Sequence, residues 1–245
     1  MNIPYLKITG WGGAIRSMYM SNKHYTPELE IKLRRCEEAY ESYNGSNISE
    51  TLYADDVNWF ENEINKVIKI GKRHITLLRY VDVEWVVDGL HRGAQDDFDA
   101  HAERFDNRIV RMSTRTINDG KLAEISDWYK GKILTFQDMT ELFNLPEEVE
   151  KDGVIFARTP FGYIRKETIG SLEERDVRRG LIPLAVASTF IVKCQLTELC
   201  HVFRERNRDG NASPELKIMM EDAVKKISEK YPELDRDFFL NSCLQ

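Results

Sequence analysis

Two segments near the C-terminal end contain arginines in positions suited to binding an anion. The first, from Asp176 to Pro183, is D-V-R-R-G-L-I-P, and the second, from Gln195 to Arg206, is Q-L-T-E-L-C-H-V-F-R-E-R. A guanidinium group binds a phosphate or a carbonyl oxygen well when a fixed helix or strand holds it. Arg179 and Arg206 are therefore candidate ligand-binding residues.

The same arginines also have a simpler interpretation, in which they are solvated or pair with nearby carboxylates. The carboxylates close to them in sequence are those of Glu173, Glu174 and Glu205. Spacing alone favours this interpretation, because charged side chains usually lie on solvated helix faces.

The order of elements in this region resembles that of the flavin-dependent thymidylate synthases. In that family an arginine, a short apolar run with proline, a strand and a helix ending in Leu-Arg follow one another, and this chain matches without a gap. The resemblance implies that Arg179 contacts a deoxyuridylate and that Arg206 contacts its uracil ring. It also implies flavin contacts for Gln195 and His201.

A second part of the resemblance lies upstream. The segment from Gly71 to Thr76 precedes a strand and then a helix, as does the family's Gly-His-x-Thr/Ser-Pro-x-Glu-His segment. This match implies that His74 and Thr76 lie near the flavin. Without the resemblance, His74 would be interpreted as a surface residue. Arg79 and Tyr80 stand where the family has Glu-His.

The family's central motif, R-H-R-x-x-S-x-N-E-x-S-x-R, is altered in this chain. Residues 100–115 are A-H-A-E-R-F-D-N-R-I-V-R-M-S-T-R. Ser113 and Arg115 match the final S-x-R, which implies contacts with the nucleotide and its phosphate. His101 matches the central histidine and a flavin contact, but alanines replace both flanking arginines and the loop is longer. A placement without a gap puts Glu103 to Phe105 there and matches no better.

The altered motif leaves two outcomes open for flavin binding. The pyrophosphate of FAD is normally offset by these arginines, and each charge-assisted contact contributes ~1.5 to 3 kcal/mol. Losing both contacts weakens flavin binding unless Arg104, Arg108 or Arg111 replaces them from another position on the loop.

The resemblance implies a flavin-dependent enzyme with FAD as its cofactor. In the family, a one-carbon unit passes from methylenetetrahydrofolate to C5 of dUMP, giving dTMP, and NADPH supplies the reducing hydride. The residues expected to bind the nucleotide are Ser113, Arg115, Arg179 and Arg206. Ser113 and Arg206 are also the expected catalytic residues. The expected partners are a pyrimidine nucleotide, a folate and further copies of the chain, in a homotetramer whose subunits share the active site.

Three other interpretations remain open. Another pyrimidine nucleotide could be methylated or hydroxymethylated, because the nucleotide-facing residues match the family better than the flavin-facing ones. The chain could instead be a nucleotide-binding relative without flavin chemistry, as Ala100, Ala102 and Arg79 suggest. A helical scaffold with surface arginines is the fourth interpretation, and the matching register of arginine, proline and helix disfavours it.

Hydrophobic periodicity predicts the elements that position these residues. Helical spacing over 55–70 and 196–206 predicts amphipathic helices, and alternation over 81–87 predicts a strand with one solvated face. Further predicted elements are a helix at 26–43, a helix over 90–105, strands at 109–112, 153–157 and 184–192, and a helix after Ser213-Pro214. With the resemblance, they predict an α+β fold whose central, mostly antiparallel sheet is flanked by helices, in a single domain over 1–245.

Composition narrows the class of partner. The 245 residues are 42% hydrophobic, enough for a substantial core, and the net charge of -6 argues against a nucleic-acid partner. No stretch approaches the ~18 apolar residues of a membrane span, and no signal peptide is evident, so we expect a cytoplasmic protein without a membrane partner. The scattered cysteines predict buried, reduced thiols at Cys36, Cys194, Cys200 and Cys243.

Overall fold

The computed structural model describes residues 1–43, 53–99, 108–112, 124–208 and 213–241. The described strands are β1 (Asn2–Thr9), β2 (Asp82–His91), β3 (Arg108–Arg111), β4 (Glu148–Lys151), β5 (Val154–Thr159), β6 (Gly162–Arg165) and β7 (Ala187–Gln195). The described α-helices are α1 (Trp11–Ser21), α2 (Pro27–Ser42), α3 (Ala54–Gly71), α4 (Arg92–Asp99), α5 (Phe136–Phe143), α6 (Leu172–Leu181), α7 (Leu196–Arg208), α8 (Pro214–Lys230) and α9 (Arg236–Asn241). Two 3-10 helices occupy Ile75–Tyr80 and Lys166–Thr168.

The central sheet has the strand order β1-β2-β7-β3, and every neighbouring pair is antiparallel. Alternate residues of β2, namely Val83, Trp85 and Val87, are fully buried, as the alternation predicts. Strands β4, β5 and β6 form a separate antiparallel sheet. The predicted α+β fold, with a central antiparallel sheet flanked by helices, is confirmed.

Helices α3, α7 and α8 pack their apolar faces into one core with the central sheet. Ile64, Leu199 and Met219 are examples from the three helices, and each is at most 1% exposed. Their burial follows from the helical spacing of the apolar residues. The helices predicted over 55–70, over 196–206 and after Ser213-Pro214 are confirmed.

A bulge near the end of β2 determines where α4 begins. Gly89 has a φ of 85°, which favours glycine, and the register between β2 and β7 shifts between Val87 and Leu90. Strand pairing therefore continues through His91, and the helix starts at Arg92 rather than at the predicted Leu90.

The segment just before β7 contacts α4 and is not part of the strand, although it was predicted to be. The strand predicted from Leu184 begins at Ala187. The carbonyl oxygens of Leu184 and Val186 accept hydrogen bonds from the backbone N–H groups of Gly93 and Arg92, both at 3.2 Å. Leu184 and Ala185 form a turn, and this segment holds the start of α4 instead of joining the sheet as a strand.

Three cysteines lie in the described part of the chain. Cys36, Cys194 and Cys200 are buried, so the predicted burial of these thiols is confirmed, and Cys243 lies outside that part. Among the described side chains, no group of three or more histidine, cysteine or acidic residues could hold a metal ion. None of the described helices is long and apolar enough to cross a membrane.

Candidate functional site

Helix α4 carries one side of the candidate site, and buried contacts fix it on the sheet. The side-chain amide of Gln95 donates to the carbonyl oxygen of Leu90 at 2.9 Å and to Oγ of Ser188 at 2.6 Å. Phe98 packs edge-to-face on Trp85 with ring centroids 6.0 Å apart. The helix is therefore tied to both β2 and β7, and its acidic side chains can meet residues from other elements.

Arg206, near the end of α7, is buried against α4. Arg206 is only 5% exposed. Nη2 lies 3.1 Å from Oδ1 of Asp97, an ion pair, and donates a hydrogen bond to the carbonyl oxygen of the same residue. Nε is buried and has no hydrogen-bond partner. The simpler prediction, a solvated Arg206 or one paired with Glu205, is wrong, because Glu205 pairs with Arg204 at 3.5 Å.

Asp97 also joins Arg206 to a buried polar network at the start of α8. Its Oδ2 accepts a hydrogen bond from the backbone N–H of Ser213 at 3.1 Å. Oγ of Ser213 lies 3.3 Å from Nε2 of His91, and Oε2 of Glu215 lies 3.4 Å from the same nitrogen. His91 and Glu215 are both buried. The network therefore connects Arg206, through Asp97, to the start of α8. Through His91 it also connects Arg206 to the end of β2.

The hydrogen bonds around His91 indicate the tautomer of its neutral ring. Nδ1 accepts from the backbone N–H of Ala94 at 3.0 Å, so a neutral ring carries its hydrogen on Nε2, which faces Glu215 and Ser213. Burial lowers the pKa of His91, and the negative charge of Glu215 opposes this effect. The neutral form is favoured in the folded protein.

Arginines from two further elements lie close to the start of α4. Arg111, on β3, pairs with Asp96 at 2.6 Å and with Asp99 at 3.0 Å. Arg92 is the first residue of α4, and its Nη1 is buried without a hydrogen-bond partner. Arg179, on α6, is exposed and makes no ion pair with the described residues. This end of the sheet therefore carries several guanidinium groups.

The residues expected to contact flavin lie elsewhere. His74 and Thr76 are exposed, in the segment that precedes β2. Gln195, the last residue of β7, pairs with Asp82 at the start of β2, and its Oε1 accepts from Oγ1 of Thr197 at 3.4 Å.

His201, the remaining described flavin candidate, is partly buried in the middle of α7. Its Nδ1 lies 3.3 Å from Nη2 of Arg204. This position is closer to Arg206 than those of the other flavin candidates, because both residues belong to the same helix.

Gln195 lies at the start of β2, and Arg92 follows its end. This strand has 10 residues, so these two residues are about 30 Å apart. Arg206 lies closer to Gln195 than Arg92 does, because Gln195 directly precedes α7, which rises about 1.5 Å per residue and so puts the Arg206 backbone about 15–20 Å away. Within one chain, Gln195 and Arg206 are therefore not in contact.

Three of the predicted site residues are not described by the structure, and two residues of the site were not predicted. Ser113, Arg115 and His101 lie outside the described residues. Sequence analysis missed Arg92 and Asp97. A boundary between strand and helix is the only sequence signal at Arg92, and Asp97 meets Arg206 across 109 positions of sequence, where periodicity carries no information.

Comparisons of sequence find no relatives. No protein-family model matches the chain, and no curated protein matches it.

Comparisons of structure do find similar proteins. The chain is similar to thymidylate synthase X (ThyX) from Helicobacter pylori with FAD and dUMP, with a TM-score of 0.51, 12% identity, and coverage of 98% of this chain and 99% of that one. A second Helicobacter pylori ThyX structure, with FAD and dUMP, gives 0.50, 13%, and 100% of both chains. The UMP/dUMP methylase PolB from Streptomyces cacaoi, bound with 5-Br dUMP, gives 0.53, 10%, 99% of this chain and 95% of that one. The chain therefore has the fold of the flavin-dependent thymidylate synthases, which confirms the fold expected from the resemblance.

Proposed function

We propose that this protein transfers a one-carbon unit to C5 of a pyrimidine mononucleotide, with FAD as its cofactor. The fold supports this proposal, because it is shared over almost the whole chain with ThyX and with a UMP/dUMP methylase. The observation that carries it is the buried Arg206, fixed by Asp97 and with Nε free to donate. Fold alone does not define activity, so the argument rests on this residue and its neighbours.

Arg206 is suited to binding a carbonyl oxygen of the pyrimidine ring. A buried donor without a partner costs about 1–3 kcal/mol, which a ligand oxygen would recover. Because Asp97 already holds Nη2, the guanidinium needs little reorganisation when negative charge develops on that oxygen during reaction at C5. The role of Arg206 is thus to orient the ring and stabilise this charge.

Arg179 is suited to the phosphate end of the nucleotide. It is exposed, and no carboxylate among the described residues competes for its guanidinium. A phosphate can accept two parallel hydrogen bonds from one guanidinium, which fixes orientation as well as affinity. Ser113 and Arg115, outside the described residues, are proposed to complete this subsite.

The polar groups at the start of β2 fit a flavin ring. His74 and Thr76 are exposed, and their side chains make no hydrogen bonds within the described chain. The side-chain NH₂ of Gln195 is also available, since only its Oε1 is engaged. These groups match the carbonyl and N–H edge of an isoalloxazine, and His201 and His101 are proposed as further contacts. When bound, FAD supplies the redox step that converts the one-carbon unit of methylenetetrahydrofolate, with NADPH as the source of hydride.

A second copy of the chain would bring the two groups of candidates together. Gln195 lies about 30 Å from Arg92 along β2 and about 15–20 Å from Arg206 along α7, whereas a pyrimidine and a flavin react only in contact. We therefore propose that the start of β2 from one copy faces α4 of another, as the resemblance to a homotetrameric family implies. Closed assemblies of identical chains bring different surfaces together in this way.

A nucleotide-binding protein without flavin chemistry is the second candidate function. Arg111 was one possible replacement for the two arginines missing from the central motif. Its guanidinium is already held by Asp96 and Asp99. This pairing favours the second candidate, because it removes one of the few cations that could offset the FAD pyrophosphate.

An absorption spectrum and a product assay together distinguish the candidates. The purified protein is mixed with FAD, desalted, and examined for flavin bands, while dUMP binding is measured by calorimetry. Retained flavin and formation of dTMP from dUMP, methylenetetrahydrofolate and NADPH would support the enzyme. Binding of dUMP without retained flavin would support the second candidate. If neither FAD nor dUMP binds, both proposals are wrong.

A further inference from the structure

Arg92 is a partly buried cation whose Nη1 has no partner. This atom is inaccessible to solvent and makes no hydrogen bond, and the residue forms no ion pair within the described ranges. Buried polar groups almost always have partners, and a charged donor left unsatisfied costs more than a neutral one. An anionic ligand would satisfy this donor.

The acidic residues of α4 do not neutralise Arg92. Asp96 lies one helical turn away, at the i+4 position where an arginine usually finds a carboxylate. Asp96 pairs instead with Arg111 at 2.6 Å, and Arg111 also forms an ion pair with Asp99 at 3.0 Å. Asp97 is held by Arg206. The three carboxylates of this helix are therefore all engaged by other arginines.

Two further arginines lie on elements that contact α4. Arg111 pairs with Asp96, and Arg179 is in the last turn of α6, just before Leu184, whose carbonyl oxygen accepts from the N–H of Gly93 at 3.2 Å. Burial lowers the pKa of Arg92, the charge of Arg111 lowers it further, Asp96 opposes this change, and the charge of Arg179 adds to it. An anion that binds between guanidinium groups offsets the repulsion between their charges. Arg92 and Arg179 have no carboxylate partner among the described residues. Their guanidinium groups are therefore available to bind an anion.

The backbone at the start of α4 is not available for anion binding. The N–H groups of Arg92 and Gly93 donate to the carbonyl oxygens of Val186 and Leu184, and that of Ala94 donates to Nδ1 of His91. An anion at this end of the helix would therefore be held by side chains, not by the free backbone amides of a helix N-terminus.

We propose that Arg92 binds a phosphate group of the protein's ligand together with Arg179. Arg92 belongs to none of the family motifs quoted above, so the resemblance assigns it no role. The identity of the ligand rests on the proposed function, and a phosphate can come from two sources there. One is the monophosphate of the pyrimidine nucleotide, and the other is the pyrophosphate of FAD.

Calorimetry with four probes tests this contact. Wild type, Arg92→Gln and Arg92→Lys are titrated at low ionic strength with dUMP, deoxyuridine, FAD and inorganic pyrophosphate. Arg34→Gln is the control, because it removes one positive charge from an exposed ion pair on α2. Arg92→Gln is expected to weaken one phosphate-bearing ligand at least about tenfold, with deoxyuridine unchanged. Loss for dUMP identifies the nucleotide as the source, and loss for FAD identifies the flavin.

The same titrations separate this inference from the proposed function. If wild type binds dUMP or FAD and both Arg92 variants bind all probes as tightly as Arg34→Gln does, the inference is wrong and the proposed function stands. If wild type binds only pyrophosphate, and binds it through Arg92, the proposed function is wrong and the inference stands. Binding of no phosphate-bearing probe overturns both. Should Arg92→Gln fail to fold, Arg92→Lys and Arg179→Gln carry the comparison.

Discussion

Oδ1 of Asp97 lies 3.1 Å from Nη2 of Arg206, and the carbonyl oxygen of Asp97 accepts a hydrogen bond from the same nitrogen. Two acceptors on one residue therefore fix the guanidinium in a buried position. Oδ2 of Asp97 binds the backbone N–H of Ser213. Asp97 thus positions Arg206 and stabilises the start of α8 with a single carboxylate.

Replacing Asp97 should destabilise the fold more than replacing a neighbouring carboxylate. Asp97→Ala leaves the buried Arg206 without its counter-charge, which costs about 3 kcal/mol of unfolding free energy. Asp99→Ala is the matched control, because Asp99 belongs to the same helix and its ion pair with Arg111 is exposed, so its loss costs less than about 1 kcal/mol. Urea unfolding measures both values. Equal losses for the two variants would contradict the special role of Asp97.

Replacing Arg206 by lysine should weaken nucleotide binding while keeping the fold. Lysine retains the charge that faces Asp97 but loses the planar set of donors and the free Nε–H. We expect dUMP affinity to fall by at least ~1.5 kcal/mol, as measured by calorimetry. Arg204→Lys, on the same helix, is the control and should bind dUMP as wild type does. Unchanged affinity in a folded Arg206→Lys would remove this residue from the site.

The stability of the protein should fall in acid partly because of His91. Burial lowers its folded pKa below the unfolded value of ~6.5. The unfolded state then binds more protons, so the stability contribution of neutral His91 is present above pH ~6.5 and is lost as the pH falls through the folded pKa.

His91→Asn isolates this effect, since its side-chain oxygen can still accept from the Ala94 N–H and does not titrate. Urea unfolding at about pH 7.5 and about pH 5 should show a smaller change for this variant than for wild type. A wild-type pH dependence that persists unchanged in His91→Asn would assign it to other groups.

Periodic segments of the sequence predict the fold well, and exposed segments do not. Helix α3 and strand β2 follow from regular spacing of buried residues. Helix α5 was not predicted, although Phe136, Met139 and Phe143 recur at helical spacing; it has only 8 residues, and none of them is buried. Strand β1 was also missed, because it alternates only weakly and is recognisable mainly through its pairing with β2.

Local sequence predicts ion pairs only where the partners are local. Arg178 pairs with Glu174 at 3.6 Å and Arg204 with Glu205 at 3.5 Å, as spacing suggests. Arg206 departs from this pattern because its helix turns it into the core, where, among the described residues, its counter-charge comes from distant α4. The resemblance predicted Arg206 as a site residue, but its buried partner required the tertiary structure.

Mixing two impaired variants should raise activity if the site is shared between copies of the chain. One variant carries His74→Ala and Gln195→Ala at the start of β2, and the other carries Arg206→Lys beside α4. In a mixed pair one site contains all the substitutions and the other contains none, so random mixing should restore about a quarter of wild-type dTMP formation. Arg206→Lys mixed with Arg179→Gln is the control.

Those two control substitutions lie on the same side of the proposed site, so each site of a mixed pair keeps one defect and no activity should return. Recovery in the first mixture alone supports a site built from the start of β2 of one copy and α4 of another. Equal recovery in both mixtures, or a monomer by light scattering, would contradict the shared site. In that case the flavin would have to reach Arg206 within one chain, and His201, on the same helix, would be the one described flavin candidate positioned for that contact.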